Sequence, residues 1–165
     1  NRWVLESEPE NVDKSFAVGL HIPGRYDKIV DIYDCHIQPE VGNKILKIAR
    51  DVCLEHPELK PYDPKTHVGF LRYLMLRYGV NTNQLMVNLV TAYDDLNKLS
   101  PLIDALLEQV PEITCMVNNV NTRRADVAFG EFETLVFGDQ SIQEKMNELE
   151  FEICKFFFPN QYDSG

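Results

Sequence analysis

His67-Val68-Gly69-Phe70-Leu71-Arg72-Tyr73-Leu74-Met75-Leu76-Arg77-Tyr78-Gly79 is the stretch that decides how this chain folds. It reads as one long strand with two arginines inside it. If side chains alternate, Phe70, Arg72, Leu74, Leu76 and Tyr78 share one face, and Leu71, Tyr73, Met75 and Arg77 share the other. An arginine in mid-strand is rarely buried without a partner. Two of them on opposite faces, flanked by apolar residues, predict a sheet that meets an anionic ligand or carries internal ion pairs.

Working outward, Asn81-Thr82-Asn83 is a turn into a second strand over 84–92, with Leu85, Val87 and Leu89 on one face. Upstream lies a loop punctuated by Pro57, Pro61 and Pro64. Before it, a helix starts near Pro39 and ends at His56-Pro57, burying Val41, Ile45, Ile48, Ala49 and Val52. Pro23-Gly24 turns a hairpin over 16–32. Downstream, Ser100-Pro101 reads as a helix start, followed by the stripe Leu102, Ile103, Leu106, Leu107 and Val110. Further strands are expected at 112–119, 132–137 and 150–157, and a short helix at 141–146. This order of elements predicts the α+β class: a mainly antiparallel sheet with two principal amphipathic helices packed on one face. Residues 1–165 read as a single domain, with 158–165 the start of a linker. The N-terminus begins in what reads as a strand, so a piece of a longer protein is expected.

The net charge of −10 weighs against a free-standing nucleic-acid binder, because phosphate contact is driven by Lys and Arg. It leaves room for one local basic face. The acids concentrate in 6–13, 51–63, 94–95 and 144–152, whereas the sheet-like segments hold Arg25, Lys28, Arg72 and Arg77. No apolar run approaches the ~18 residues of a membrane span. The four cysteines, Cys35, Cys53, Cys115 and Cys154, form no C-x-x-C pair, which points to free thiols in a reducing cytoplasm. No glycine-rich phosphate loop is present, since Gly19, Gly24 and Gly69 are isolated.

Five motifs occur in a recognisable order. They are Gly19-Leu20-His21-Ile22-Pro23-Gly24-Arg25, Ile29-Val30-Asp31-Ile32-Tyr33-Asp34-Cys35-His36-Ile37, the run from His67 to Arg77, Gln84-Leu85-Met86-Val87, and Phe151-Glu152-Ile153 leading to Phe156-Phe157. Together they resemble the RNA uracil-5-methyltransferases of the RumA/TrmA type across roughly residues 15–160. The resemblance implies three parts in the parent enzyme: an N-terminal TRAM barrel, a central domain, and a C-terminal Rossmann-like domain that binds S-adenosylmethionine. This chain looks like the central one. The family's catalytic cysteine and general-base glutamate lie in the C-terminal part, so no residue here takes those roles.

The resemblance further implies RNA contact, to ribosomal or transfer RNA, by Arg72, Arg77, His67 and Arg25. It implies cofactor contact near Asn160 or Gln161, although Phe156-Phe157-Phe158-Pro159-Asn160 departs from the family's pattern. In the RumA-like branch, Cys35 would be one ligand of an iron–sulfur cluster whose other cysteines lie upstream. The expected partners are RNA and, within the polypeptide, the TRAM and catalytic domains; no membrane is expected. The competing reading is a non-catalytic interaction or structural domain without RNA contact.

Overall fold

The pivotal strand is shorter than the sequence predicts. The computed structural model describes residues 2, 3, 5, 15–124 and 130–154, and in it this strand, β4, runs over Leu71–Gly79. His67 and Gly69 precede it with φ of 58° and 125°. A backbone turned that way cannot extend a pleated strand. Gly69 also tolerates no side chain, because a Cβ there would meet the Pro61 carbonyl oxygen at 2.2 Å. That close approach lays the segment before it along the start of β4. Phe70 N donates to Lys60 O at 2.7 Å, and Tyr62 N to Leu71 O at 2.7 Å.

The remaining elements are β1 (Arg2–Trp3), β2 (Gly19–Ile22), β3 (Arg25–Asp31), α1 (Glu40–Glu55), β5 (Gln84–Thr91), α2 (Leu96–Gln109), β6 (Ile113–Val120), β7 (Phe132–Gly138), β8 (Ser141–Met146) and β9 (Leu149–Cys154). The class is α+β, as expected. The strands form three sheets rather than one: β1-β3-β2, β4-β5-β6-β7 and β8-β9. Most pairs are antiparallel, but β5 and β6 run parallel, joined by α2 as a crossover. No helix among the described residues is long and apolar enough to cross a membrane.

Both helices cover one face of the four-stranded sheet. Ile45, Ile48, Ala49 and Val52 of α1 meet Leu99, Leu102, Ile103 and Leu106 of α2 over Leu85, Val87, Leu89 and Met116. Leu74, Leu76 and Tyr78 join from β4, and so does Leu71. The simple alternation separated Leu71 from Leu74. A bulge between Leu71 and Tyr73 resets it, leaving Arg72 as the extra residue.

Two local expectations are corrected. α2 begins at Leu96, where the Asp95 side chain accepts from Lys98 N at 3.0 Å, so Pro101 lies inside the helix. Proline there removes a donor for the Asn97 carbonyl. The Ser100 hydroxyl donates to that carbonyl at 2.9 Å instead, so Ser100-Pro101 works as a repair and not as a start. Residues 141–146 form a strand, not a helix. Ile142 is buried beside Met86, Cys115 and Val117, and Asn147 at φ 55° turns the chain into β9.

The β2–β3 hairpin closes on Pro23-Gly24, with Gly24 at φ 75°. It is tied to α1 by a buried knot. The Asp31 carboxylate meets Arg50 Nη2 at 2.8 Å and Arg2 Nε at 3.4 Å. Arg50 also donates to Ile32 O at 2.7 Å and lies 4.1 Å from the Tyr33 ring centre.

Candidate nucleic-acid interface

A cleft of about 820 Å³ opens at the carboxyl ends of the parallel pair β5–β6. In sheets built from strand–helix–strand units, this edge is where ligands settle, because the chain splays apart there. The approach to β4 supplies Phe70 and its start Arg72, the turn after β5 supplies Ala92 and Tyr93, and the exit of β6 supplies Asn121, Thr122 and Arg124. The first turn of α2 adds Lys98, and the loop held by Gly69 adds Lys60, Tyr62 and His67.

Polar contacts fix the floor. Asn118 Nδ2 donates to Leu89 O at 2.9 Å and to Thr91 Oγ1 at 3.1 Å, and Asn121 N donates to Thr91 O at 2.8 Å. The Asn121 side chain then accepts from Arg123 N at 3.0 Å. These bonds present the carbonyls of Asn121 and Arg123 to Arg72, whose Nη1 donates to them at 2.9 and 2.5 Å. The Arg72 guanidinium lies 4.4 Å from the centre of the Tyr62 ring, and the Tyr62 hydroxyl is 2.9 Å from His67 Nδ1. Across the cleft, Lys98 Nζ sits 5.0 Å from the Phe70 ring centre and hydrogen-bonds the Tyr93 hydroxyl at 2.8 Å.

The charge balance of the cleft is opposite to that of the chain. Lys60, Arg72, Lys98 and Arg124 line it against Glu58 alone among the described residues, in a protein of net charge −10. Cations interleaved with ring faces suit an anionic, aromatic polymer.

The structure separates the predicted site residues. Arg72 and His67 lie together in the cleft. Arg77 stands beside Met86 near the far end of β4, about 17 Å along the strand at ~3.4 Å per residue. Arg25 lies on the β2–β3 hairpin, 3.3 Å from Asp27 and 5.9 Å from the Trp3 ring centre. Cys35 sits partly buried just ahead of α1, its N–H donating to Asn43 Oδ1 at 2.9 Å. Among the described residues no group of three His, Cys, Asp or Glu side chains is placed to hold a metal ion. Cys35 by itself therefore does not build an iron–sulfur site. Asn160 and Gln161 lie outside the described residues.

Sequence reasoning missed Lys60, Lys98, Arg124, Tyr62 and Tyr93. They come from three distant segments, 60–62, 93–98 and 124, gathered by the bonds of the first to β4 and by the parallel pairing of β5 and β6. Asp95 was the available signal: as a cap it starts α2 five residues earlier and brings Lys98 to the strand ends.

No family model matches the chain. Its sequence is 39% identical over 166 residues to an uncharacterized RNA methyltransferase of Chlorobaculum tepidum, covering 96% of this chain and 34% of that protein. It is 36% identical to an uncharacterized RNA methyltransferase of Porphyromonas gingivalis, covering 95% of this chain and 35% of the relative. Among solved structures it is similar to the Pyrococcus abyssi tRNA (uracil-54, C5)-methyltransferase in complex with S-adenosyl-L-homocysteine. There the TM-score is 0.64 and the identity 26%, over 85% of this chain and 33% of that one.

In sequence and fold the chain is thus similar, over nearly its whole length, to one portion of proteins named RNA methyltransferases. That agrees with the resemblance of its motifs to the RumA/TrmA-type RNA uracil-5-methyltransferases, and the chain spans about a third of the length of the curated relatives it matches.

Proposed function

We propose that this chain is the substrate-gripping portion of an S-adenosylmethionine-dependent enzyme that makes 5-methyluridine in ribosomal or transfer RNA in the cytoplasm. The observation that carries the reading is the cleft, where four cations and three rings gather in an acidic molecule. Arg72 and His67, with Lys60, Lys98 and Arg124, hold the phosphate backbone, and Tyr62 and Tyr93 offer ring faces to unstacked bases. Arg25 and Arg77 meet RNA only where it continues beyond the cleft.

The chemistry itself falls outside this chain. Carbon-5 methylation of uracil needs a thiolate nucleophile. Burial pushes the Cys53 thiol up to about 12, and Cys115 is fully enclosed, so neither presents one. The nucleophile, the base and the S-adenosylmethionine site belong to the rest of a polypeptide of the relatives' length, with Asn160 or Gln161 approaching the cofactor. Cys35 would supply one thiolate to a cluster completed elsewhere, and no step of this proposal runs through it.

The test is a salt titration of uracil-containing RNA binding to the full-length protein, read by fluorescence anisotropy. Affinity should fall linearly on a double-logarithmic salt plot, and Arg72→Ala combined with Lys98→Ala should weaken it by roughly tenfold or more. Salt-insensitive or absent binding overturns the proposal in favour of a purely structural domain.

A further inference from the structure

The end of the sheet opposite the cleft is built on another principle. There β8 grips the β4–β5 turn. The Glu144 carboxylate accepts from Lys145 N at 2.7 Å, Asn81 N at 3.1 Å and Val80 N at 2.5 Å, and these bonds, that from Lys145 first, hold its pKa below the usual carboxylate range. Asn81 Nδ2 donates to Lys145 O at 2.7 Å, and Gln143 N donates to Gln84 Oε1 at 2.5 Å. The Thr82 hydroxyl donates to Gln143 O. The hairpin is thus anchored to the sheet by its own contacts.

Its cross-strand pairs Ile142–Ile153, Glu144–Phe151 and Met146–Leu149 share one face. At one end of that face Ile142 is buried under the sheet. Beyond the turn the face continues in the open: Phe151 is 45% exposed, Leu149 62%, Met146 61% and neighbouring Val80 68%. A two-stranded hairpin is marginal unless a further layer covers it, and a contiguous exposed apolar face marks an interaction site. Among the described residues no strand pairs with the outer edge of β9.

Two observations choose the occupant. Residues 141–154 carry Glu144, Glu148, Glu150 and Glu152 against Lys145 alone, with Glu150 and Glu152 on the reverse of the hairpin, and the net negative field of the element repels phosphate and favours a basic protein surface. The relatives are about three times as long as the matched segment, so most of such a polypeptide remains to be packed. We infer that the face formed by Val80, Met146, Leu149 and Phe151 docks another portion of the same polypeptide, through an apolar surface bordered by Lys or Arg. This rests on the reading of the chain as one third of a longer methyltransferase. It leaves the cleft, at the other end, free for RNA.

The test places a photo-cross-linking amino acid at Leu149 of the full-length protein and maps the captured peptides by mass spectrometry. Cross-links within one molecule to segments outside residues 1–165 are expected. Leu149→Asp with Phe151→Asp should raise amide hydrogen exchange over 147–152 at least tenfold while changing RNA affinity less than twofold. Cross-links solely between molecules would identify a second copy as the occupant. Captured RNA, or no cross-link with unchanged exchange, would leave the face without a docking role; each of these results overturns the inference. Loss of RNA binding by the unsubstituted protein would instead strike the cleft reading.

Discussion

Arg50 and Arg72 use the same contacts to opposite ends. Each guanidinium lies over a tyrosine ring, 4.1 Å from the centre of Tyr33 and 4.4 Å from that of Tyr62. Each donates to backbone carbonyls, Ile32 for Arg50, and Asn121 and Arg123 for Arg72. The difference is what closes the site. Arg50 is 8% exposed in its side chain and meets the Asp31 carboxylate at 2.8 Å. Arg72 forms part of the wall of a cleft that opens outward. A guanidinium stacked and hydrogen-bonded is therefore no mark of function in itself; the space in front of it decides.

The largest expected effect breaks the closed member of the pair. Asp31→Ala leaves Arg50 and Arg2 facing each other in a site from which water is excluded. Removing one partner from such a pair costs about 3–5 kcal/mol. Urea unfolding should show that loss, while RNA affinity per folded molecule stays within twofold. A loss under about 1 kcal/mol would mean that water reaches the knot, and the contrast with Arg72 would collapse.

Next in size is the open member's surroundings. Replacing Lys60, Lys98 and Arg124 together by alanine should leave the unfolding midpoint nearly unchanged, because none of the three is fully buried. Each phosphate contact on a single strand adds about 0.7 to the salt slope, so the slope should fall by about 2. An unchanged slope would place the RNA elsewhere, with Arg77 and Arg25 the residues to substitute next.

How much of this could be read from the chain alone varies by element. The Pro23-Gly24 hairpin, the apolar stripe of α1 and the Leu85, Val87, Leu89 face are local patterns, and each appears where its spacing puts it. Arg72 stood out as a charge in an apolar run. Its bulge did not, because a bulge is set by how Leu71 and Tyr73 pair with Thr91 and Val90. The 141–146 segment was misread for the same reason. Its strand character comes from Ile142 packing against Met86 and from Glu144 capping a turn more than sixty residues earlier. Ser100-Pro101 misled more directly: a strong start signal lies within a helix that Asp95 had already capped. Most of the cleft's cations escaped because Lys60, Lys98 and Arg124 mean little until the bonds of 60–62 to β4 and the parallel β5–β6 pair bring their segments to one edge.

The smallest effect probes a site between the two extremes. The Asp27 carboxylate, on the β2–β3 hairpin, meets Lys65 at 2.6 Å and Arg25 at 3.3 Å, and both cations are half exposed. The Lys65 hydrogen bond, with help from Arg25, lowers its pKa from 3.8 to about 2. A folded-state pKa below the unfolded value stabilises the fold above the unfolded pKa and stops doing so as pH falls through the folded one. The contribution should therefore be intact above about pH 4 and fade towards pH 2. Lys65→Ala should raise the Asp27 pKa towards 3.8, read from its carboxyl carbon by NMR, and should lower stability at pH 7 modestly, with no loss near pH 2, because solvent screening tempers a bond to a half-exposed cation. A pKa unmoved by that substitution would hand the interaction to Arg25. Asp27 would then belong to the hairpin alone, and Lys65 would not link it to the loop that carries His67.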